Sequence, residues 1–131
     1  MPSEYLLDTN TVIYLFKNDA EVQRKEQQHP LRFLPFITAM ELMFGAKRSA
    51  RREENLLKYN RFLAKFSTLY PDRQTLDVYG DIRLALQKIG RPIPANDLWQ
   101  AAIAIQRDAV LVTNDSHFAA VPGLRTENRA G

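Results

Sequence analysis

The 131-residue chain contains no cysteine and only two histidines, His29 and His117. The lack of thiols excludes disulfides, thiolate nucleophiles and cysteine-bound zinc. Two histidines so far apart in sequence make a poor zinc site. Any metal held here would be bound by oxygen, which selects magnesium or manganese. A glycine-rich phosphate loop and a pair of neighbouring histidines are also missing. No apolar run approaches the ~20 residues needed to cross a bilayer. The opening residues, Met1 to Asp8, lack a basic start and a long apolar stretch, so they read as a first strand rather than a secretion signal. The expected location is cytoplasmic, with no membrane contact.

What is present fits an ordinary globular protein. Hydrophobic residues make up 45% and charged residues 25%. The length suits one domain over residues 1–131 with one core. A net charge of +3 permits an anionic partner such as nucleic acid without demanding one.

Strands and helices alternate along the chain. Tyr5–Leu7 is a short apolar strand ending at Asp8, and Thr11–Phe16 reads as a helix with Val12, Ile13, Leu15 and Phe16 on its apolar face. Residues 19–28 suggest a polar helix, and residues 34–37 a second strand. Thr38 opens the next helix, with Leu42, Met43 and Ala46 inward and Gly45 as a close-packing point. Residues 51–66 suggest a long helix that buries Leu56, Leu57, Phe62, Leu63 and Phe66. After a short strand at Thr68–Tyr70, residues 75–89 form a helix with Leu76, Tyr79, Ile82, Leu86 and Ile89 on one stripe and Gly90 closing it. Asn96 is placed to cap a helix running to Arg107. Ala109–Thr113 is the clearest strand, continuous and β-branched as in a buried parallel sheet. Gly123–Thr126 suggests a last edge strand. The pattern indicates an α/β protein, an α/β/α sandwich around a mainly parallel central sheet.

Four acids stand at strand-to-helix transitions: Asp8, Glu41, Asp97 and Asp115. In parallel sheets, ligands bind beyond the carboxyl ends of the strands. Asp8 and Asp115 both follow apolar strands, so both belong on that rim. Clustered carboxylates repel unless a cation neutralises them. A divalent metal resolves the repulsion and can activate water against a phosphodiester. Each acid also has a plain structural reading. Asp8 could cap the helix after it. Glu41 fits a capping box with Thr38. Asp97 suits the positive end of a helix, and Asn114-Asp115-Ser116 suits a turn.

Taken in order, the four segments resemble the motifs of the PIN-domain family. They are Leu6-Leu7-Asp8-Thr9-Asn10, Thr38-Ala39-Met40-Glu41-Leu42 through Gly45, Pro94 to Trp99 with Ala101-Ala102, and Leu111 to Asp115 with Phe118. The resemblance spans roughly residues 4–126. It implies that Asp8, Asp97 and Asp115 hold a metal, magnesium with manganese as substitute. It implies that Glu41 completes the acidic pocket and that Asn10 and Thr113 support the acids. Compact chains of this length resemble the VapC toxins of bacterial toxin–antitoxin pairs. That likeness implies a metal-dependent endoribonuclease acting on RNA, often tRNA, working as a homodimer and silenced by a VapB-type antitoxin. One departure is Gln100, where the family commonly carries an apolar residue; the helix surface or a dimer contact is its expected place.

Other readings share the residues. A housekeeping PIN-type nuclease, acting in RNA processing or on DNA, would use the same site. A haloacid-dehalogenase-type phosphatase needs a second acid two residues after the first, and Asn10 stands there. A receiver-type signalling domain needs a lysine after a late strand, and none follows Val112. A non-catalytic binding module would leave the acids on one rim uncompensated. Outside the motifs, residues 47–65 carry seven positive side chains against Glu53 and Glu54. This segment could contact RNA or antitoxin, or be a solvated helix face. Trp99 and Tyr14 read as packing residues, His117 as a surface turn residue beside Asp115, and Phe118 as a plug after the loop.

Overall fold

A computed structural model describes residues 4–17 and 32–128. The described elements are strand β1 (Tyr5–Leu7), helix α1 (Thr9–Lys17), β2 (Arg32–Pro35), α2 (Phe36–Arg48), α3 (Arg52–Leu63), β3 (Ser67–Leu69), α4 (Arg73–Lys88), α5 (Ala95–Gln106), β4 (Val110–Val112), a 3₁₀ helix (Ser116–Ala120) and β5 (Arg125–Glu127). The helix expected over residues 19–28 lies outside the described residues.

The sheet is parallel throughout, in the order β3-β2-β1-β4-β5. β1 is central, and Leu6 pairs with Phe33 on one side and Leu111 on the other. Successive side chains of a strand point to opposite faces. Leu6 and Leu111 therefore enter one core, with Ile82 and Leu86 of α4, Ile103 of α5 and Phe118. Leu7, Leu34 and Val112 enter the other, with Val12 and Leu15 of α1 and Leu42 of α2. Covered on both faces, the central strands β1 and β4 are apolar at every position, whereas the edge strand β5 is Arg-Thr-Glu and exposed. This is the α/β/α sandwich with a parallel sheet expected from the sequence.

Several boundaries differ from expectation, each for a local reason. β2 stops at Pro35, and α2 starts at Phe36 rather than Thr38. Pro35 takes the cap position in an extended conformation (φ −65°, ψ 148°) without a side-chain bond. Thr38 forms no capping box with Glu41. Its hydroxyl is buried and donates to the Leu7 carbonyl at 2.9 Å, fastening α2 to the end of β1. Likewise Pro94, not Asn96, precedes α5, with no side-chain cap. α4 begins two residues earlier than expected because Asp72 caps it, accepting from the Thr75 amide at 3.1 Å in a reciprocal box. β5 is Arg125–Glu127, shifted from Gly123–Thr126 by its pairing with β4. α3 ends at Leu63 rather than Phe66. Leu57, Leu76 and Ile89 are exposed rather than buried, and a Cβ added at Gly45 would meet nothing within 4 Å. Gln100 is fully enclosed at 2% exposure, not on the helix surface.

The Thr38 hydrogen bond has a measurable worth. Thr38→Val keeps the shape and leaves the Leu7 carbonyl without its side-chain donor. The expected cost is about 1–2 kcal/mol in urea unfolding. A cost below about 0.5 kcal/mol would show that the bond contributes little.

Candidate active site

The strand order turns between β1 and β4. The chain builds outward from β1 to β2 and β3, then returns to add β4 and β5 on the other side. Such a switch point opens a crevice at the carboxyl ends of the two central strands. Asp8 follows β1 directly and Thr113 follows β4.

Asp8 is 4% exposed, and its Oδ1 accepts from the Thr11 amide at 2.8 Å. The plain reading, that it caps the next helix, is thus correct, and it also fixes the carboxylate at the crevice. Thr11 secures the same corner, because its hydroxyl donates to the Val112 carbonyl at 2.9 Å. The Asp8 amide donates to that same carbonyl at 3.2 Å. Glu41 lies in the second turn of α2, not the first. The Thr9 hydroxyl donates to its Oε1 at 3.0 Å and draws it to the residue beside Asp8.

Asp97 sits in the first turn of α5. Asp115 precedes the 3₁₀ helix, and its amide donates to the Thr113 hydroxyl at 3.1 Å. Thr113 is buried, and through this bond it holds the backbone of Asp115. Asn10 is exposed on α1 and makes no hydrogen bond to the acids among the described residues.

His117 is not the surface turn residue that the sequence suggests: it is half-buried in the short 3₁₀ helix and faces two of the acids. Its Nε2 lies 2.8 Å from Asp97 Oδ2, and its Nδ1 lies 2.9 Å from Asp115 Oδ1. Its amide donates to the same Asp115 oxygen at 3.2 Å. The imidazole thus stands between the two carboxylates, one ring nitrogen near each. The one signal in the sequence is the Asp115-Ser116-His117 spacing after a buried strand, which lets a short turn fold the imidazole back. Ligand atoms of Asp97, Asp115 and His117 all lie within 4.8 Å of one another.

Burial pushes the Asp97 carboxyl above the usual carboxylate range. The His117 hydrogen bond and charge pull it back, while Asp115 and Asp8 push it up again. Asp97 therefore feels the charges of both Asp115 and Asp8. Oxygen-rich and partly enclosed, with like charges acting on Asp97, this donor set fits a hard divalent cation.

Trp99, two residues beyond Asp97, is a packing residue as expected. It stacks on Tyr79 with centroids 4.6 Å apart and meets Phe36 edge-on at 6.1 Å.

Residues 5–124 match the PIN domain family. Ribonuclease VapC1 of Haemophilus influenzae is 38% identical over 115 residues, covering 85% of this chain and 86% of that protein. The tRNA(fMet)-specific endonuclease VapC of Salmonella typhimurium is 34% identical over 128 residues, covering 95% and 97%. A crystal structure of DNA-bound VapBC from Salmonella typhimurium superposes with a TM-score of 0.89 at 33% identity, covering 98% of each chain. VapBC2 from Rickettsia felis, bound to a promoter DNA fragment, gives 0.87 at 29% identity, over 95% of this chain and 97% of that one. The chain belongs to the PIN-domain family of nucleases, and within it to the VapC-like ribonucleases.

Proposed function

We propose that this protein is the toxin of a type II toxin–antitoxin pair, a magnesium-dependent endoribonuclease acting on tRNA. The observation that carries the proposal is the grouping of Asp97, Asp115 and His117 within 4.8 Å, with the Asp8 charge felt at Asp97 and Glu41 held to Thr9 beside Asp8. In this reading Asp8, Asp97 and Asp115 hold the metal. When bound, magnesium, or manganese in its place, supplies Lewis-acid polarisation of the phosphodiester and lowers the proton affinity of the attacking water. Glu41 orients that water and accepts its proton. The water oxygen forms the new bond to phosphorus as the bond to the 3′ oxygen breaks. The leaving oxygen takes a proton from solvent, giving a 3′-hydroxyl and a 5′-phosphate.

The tRNA assignment rests on the specificity printed in the name of the Salmonella relative. The ribonuclease names of the relatives favour RNA over DNA, and a similar chain, VapBC-5 from Mycobacterium tuberculosis, was solved as a member of a toxin–antitoxin family, which favours a toxin over a housekeeping nuclease. A VapB-type antitoxin is the proposed partner, since similar chains were solved as VapBC complexes. A homodimer agrees with the large apolar side chains left in solvent, Phe44 and Tyr70 among them. Among the described residues no helix is long and apolar enough to cross a membrane, in keeping with a cytoplasmic site of action. Mapping the 5′ ends released from total bacterial RNA tests the reading. It predicts a small set of tRNA cuts, and uniform degradation of all RNA would contradict it.

His117 is assigned a positioning role, holding Asp97 and Asp115 in register. His117→Gln should lower kcat by roughly 10–100-fold, as losing a supporting partner does at metal sites. Its magnesium requirement should shift to higher concentration while the melting temperature stays near that of the parent. A variant with unchanged kcat and magnesium midpoint would remove His117 from the account.

A further inference from the structure

α4 closes in a Schellman turn. Gly90 adopts φ 69°, the Gly90 amide donates to the Gln87 carbonyl at 3.1 Å, and the Arg91 amide donates to the Leu86 carbonyl at 2.9 Å. A residue without a Cβ suits that left-handed position. The turn and the following Pro92 thus fix where Arg91 leaves the helix. Facing them is the 3₁₀ helix that begins one residue after Asp115. Between the two lies a cavity of about 410 Å³, lined by Arg91, Pro92, Ile93, Ser116 and His117 among others. That size falls within the ~300–1,000 Å³ of small-molecule sites.

The cavity shares a wall with the acidic crevice, because the His117 ring lines one and bridges the carboxylates of the other. Arg91 is exposed, and among the described residues its guanidinium forms no ion pair. A cation without an ion-pair partner, carried by the turn that lines this cavity, can take a separate anion there.

We propose that this cavity receives the nucleotide adjoining the scissile bond and that Arg91 binds its phosphate. The proposal rests on the ribonuclease reading above. An RNA strand brings several phosphates past Asp8, Asp97 and Asp115, and the cation held there would compensate only the one being cleaved. The neighbouring phosphate needs its own positive charge to lie so close to the acids. A guanidinium fork matches a phosphate with two parallel hydrogen bonds. Pro92 and Ile93 give an apolar wall for the sugar, and the Ser116 hydroxyl a polar contact. The cavity lining includes no Phe, Tyr or Trp to clamp a base. The subsite therefore positions the backbone and carries little base specificity. A carboxylate of a protein partner would also suit Arg91, but the wall shared with the hydrolytic site favours RNA.

The test uses tRNA(fMet) transcript as probe. Binding is measured by filter retention from ~50 to ~200 mM salt in the Asp97→Asn protein, which leaves the RNA uncut. Adding Arg91→Ala should weaken binding about 5–10-fold and reduce the salt slope by about one. Arg91→Lys should keep the slope and recover part of the affinity. In the otherwise intact enzyme, Arg91→Ala should raise KM by a similar factor and change kcat by less than about twofold. Unchanged affinity and slope in Arg91→Ala overturn the subsite while leaving the ribonuclease reading in place. So does unchanged RNA binding combined with a weakened antitoxin complex in Arg91→Glu, which would assign Arg91 to the protein partner. A parent protein that neither binds nor cleaves any RNA overturns both readings.

Discussion

Asp97→Asn should cut RNA at less than about one-thousandth of the parent rate and yet melt at a higher temperature in chelator. The first effect follows from what the carboxylate is proposed to hold. Metal-assisted charge stabilisation is worth several kcal/mol, and each 1.4 kcal/mol is a factor of ten in rate. The second follows from electrostatics. Burial, with Asp115 and Asp8 nearby, raises the affinity of Asp97 for a proton in the folded state. A carboxyl whose folded pKa lies above its unfolded value makes ionisation costly to the fold. Its penalty is absent below the ordinary carboxylate range. It grows as pH rises through that range and is complete above the raised folded value. Asparagine keeps the volume and removes the charge, so the variant loses this pH dependence. Added magnesium should raise the melting temperature of the parent and leave the variant nearly unmoved. A variant that melts lower than the parent in chelator, or that retains a tenth of the activity, would show that Asp97 is not a strained ligand.

Phe118→Ala should destabilise the fold by about 3–5 kcal/mol. That is a large share of the roughly 5–15 kcal/mol that holds a domain together. Phe118 is almost fully enclosed and packs into the core that contains Leu6, Ile103 and Leu111. It is also the residue after His117, whose ring lies 5.0 Å from its own. The apolar anchor thus fixes the short helix that presents His117 and closes the loop carrying Asp115. The expected melting-temperature loss is about 10–15 °C for a domain of this size. Below that transition, activity should fall more than in an equally destabilising variant in the opposite core, such as Leu42→Ala. A cost under 1 kcal/mol, or equal activity losses for the two variants, would separate the plug from the site.

The acids on strand ends were legible because the strands were. Leu6-Leu7 and Val110-Leu111-Val112 are apolar at every position, which only a sheet covered on both faces requires. The first polar side chain beyond each therefore marks the rim. The capping pattern at Thr38 and Glu41 misled, because the same residue types serve tertiary bonds: Thr38 reaches the Leu7 carbonyl, and Glu41 meets Thr9. Helical periodicity gave apolar stripes but not what covers them. Leu57, Leu76 and Ile89 sit on such stripes and face solvent in the single chain. The same limit applied to Gln100, where the small neighbours Ala101, Ala102 and Ala104 bring its helix close enough to enclose a polar side chain. His117 was hidden for another reason. Its partners lie 20 residues away at Asp97 and two away at Asp115, and no local pattern reports a ring shared between them.

The most direct test of the central claim is cleavage of tRNA(fMet) and total bacterial RNA by the purified protein, with magnesium, manganese or chelator, beside Asp8→Asn. The account predicts discrete tRNA fragments with 3′-hydroxyl ends that require either metal and disappear in chelator and in the variant. Cleavage that persists in chelator, or that Asp8→Asn carries out at the parent rate, would contradict it.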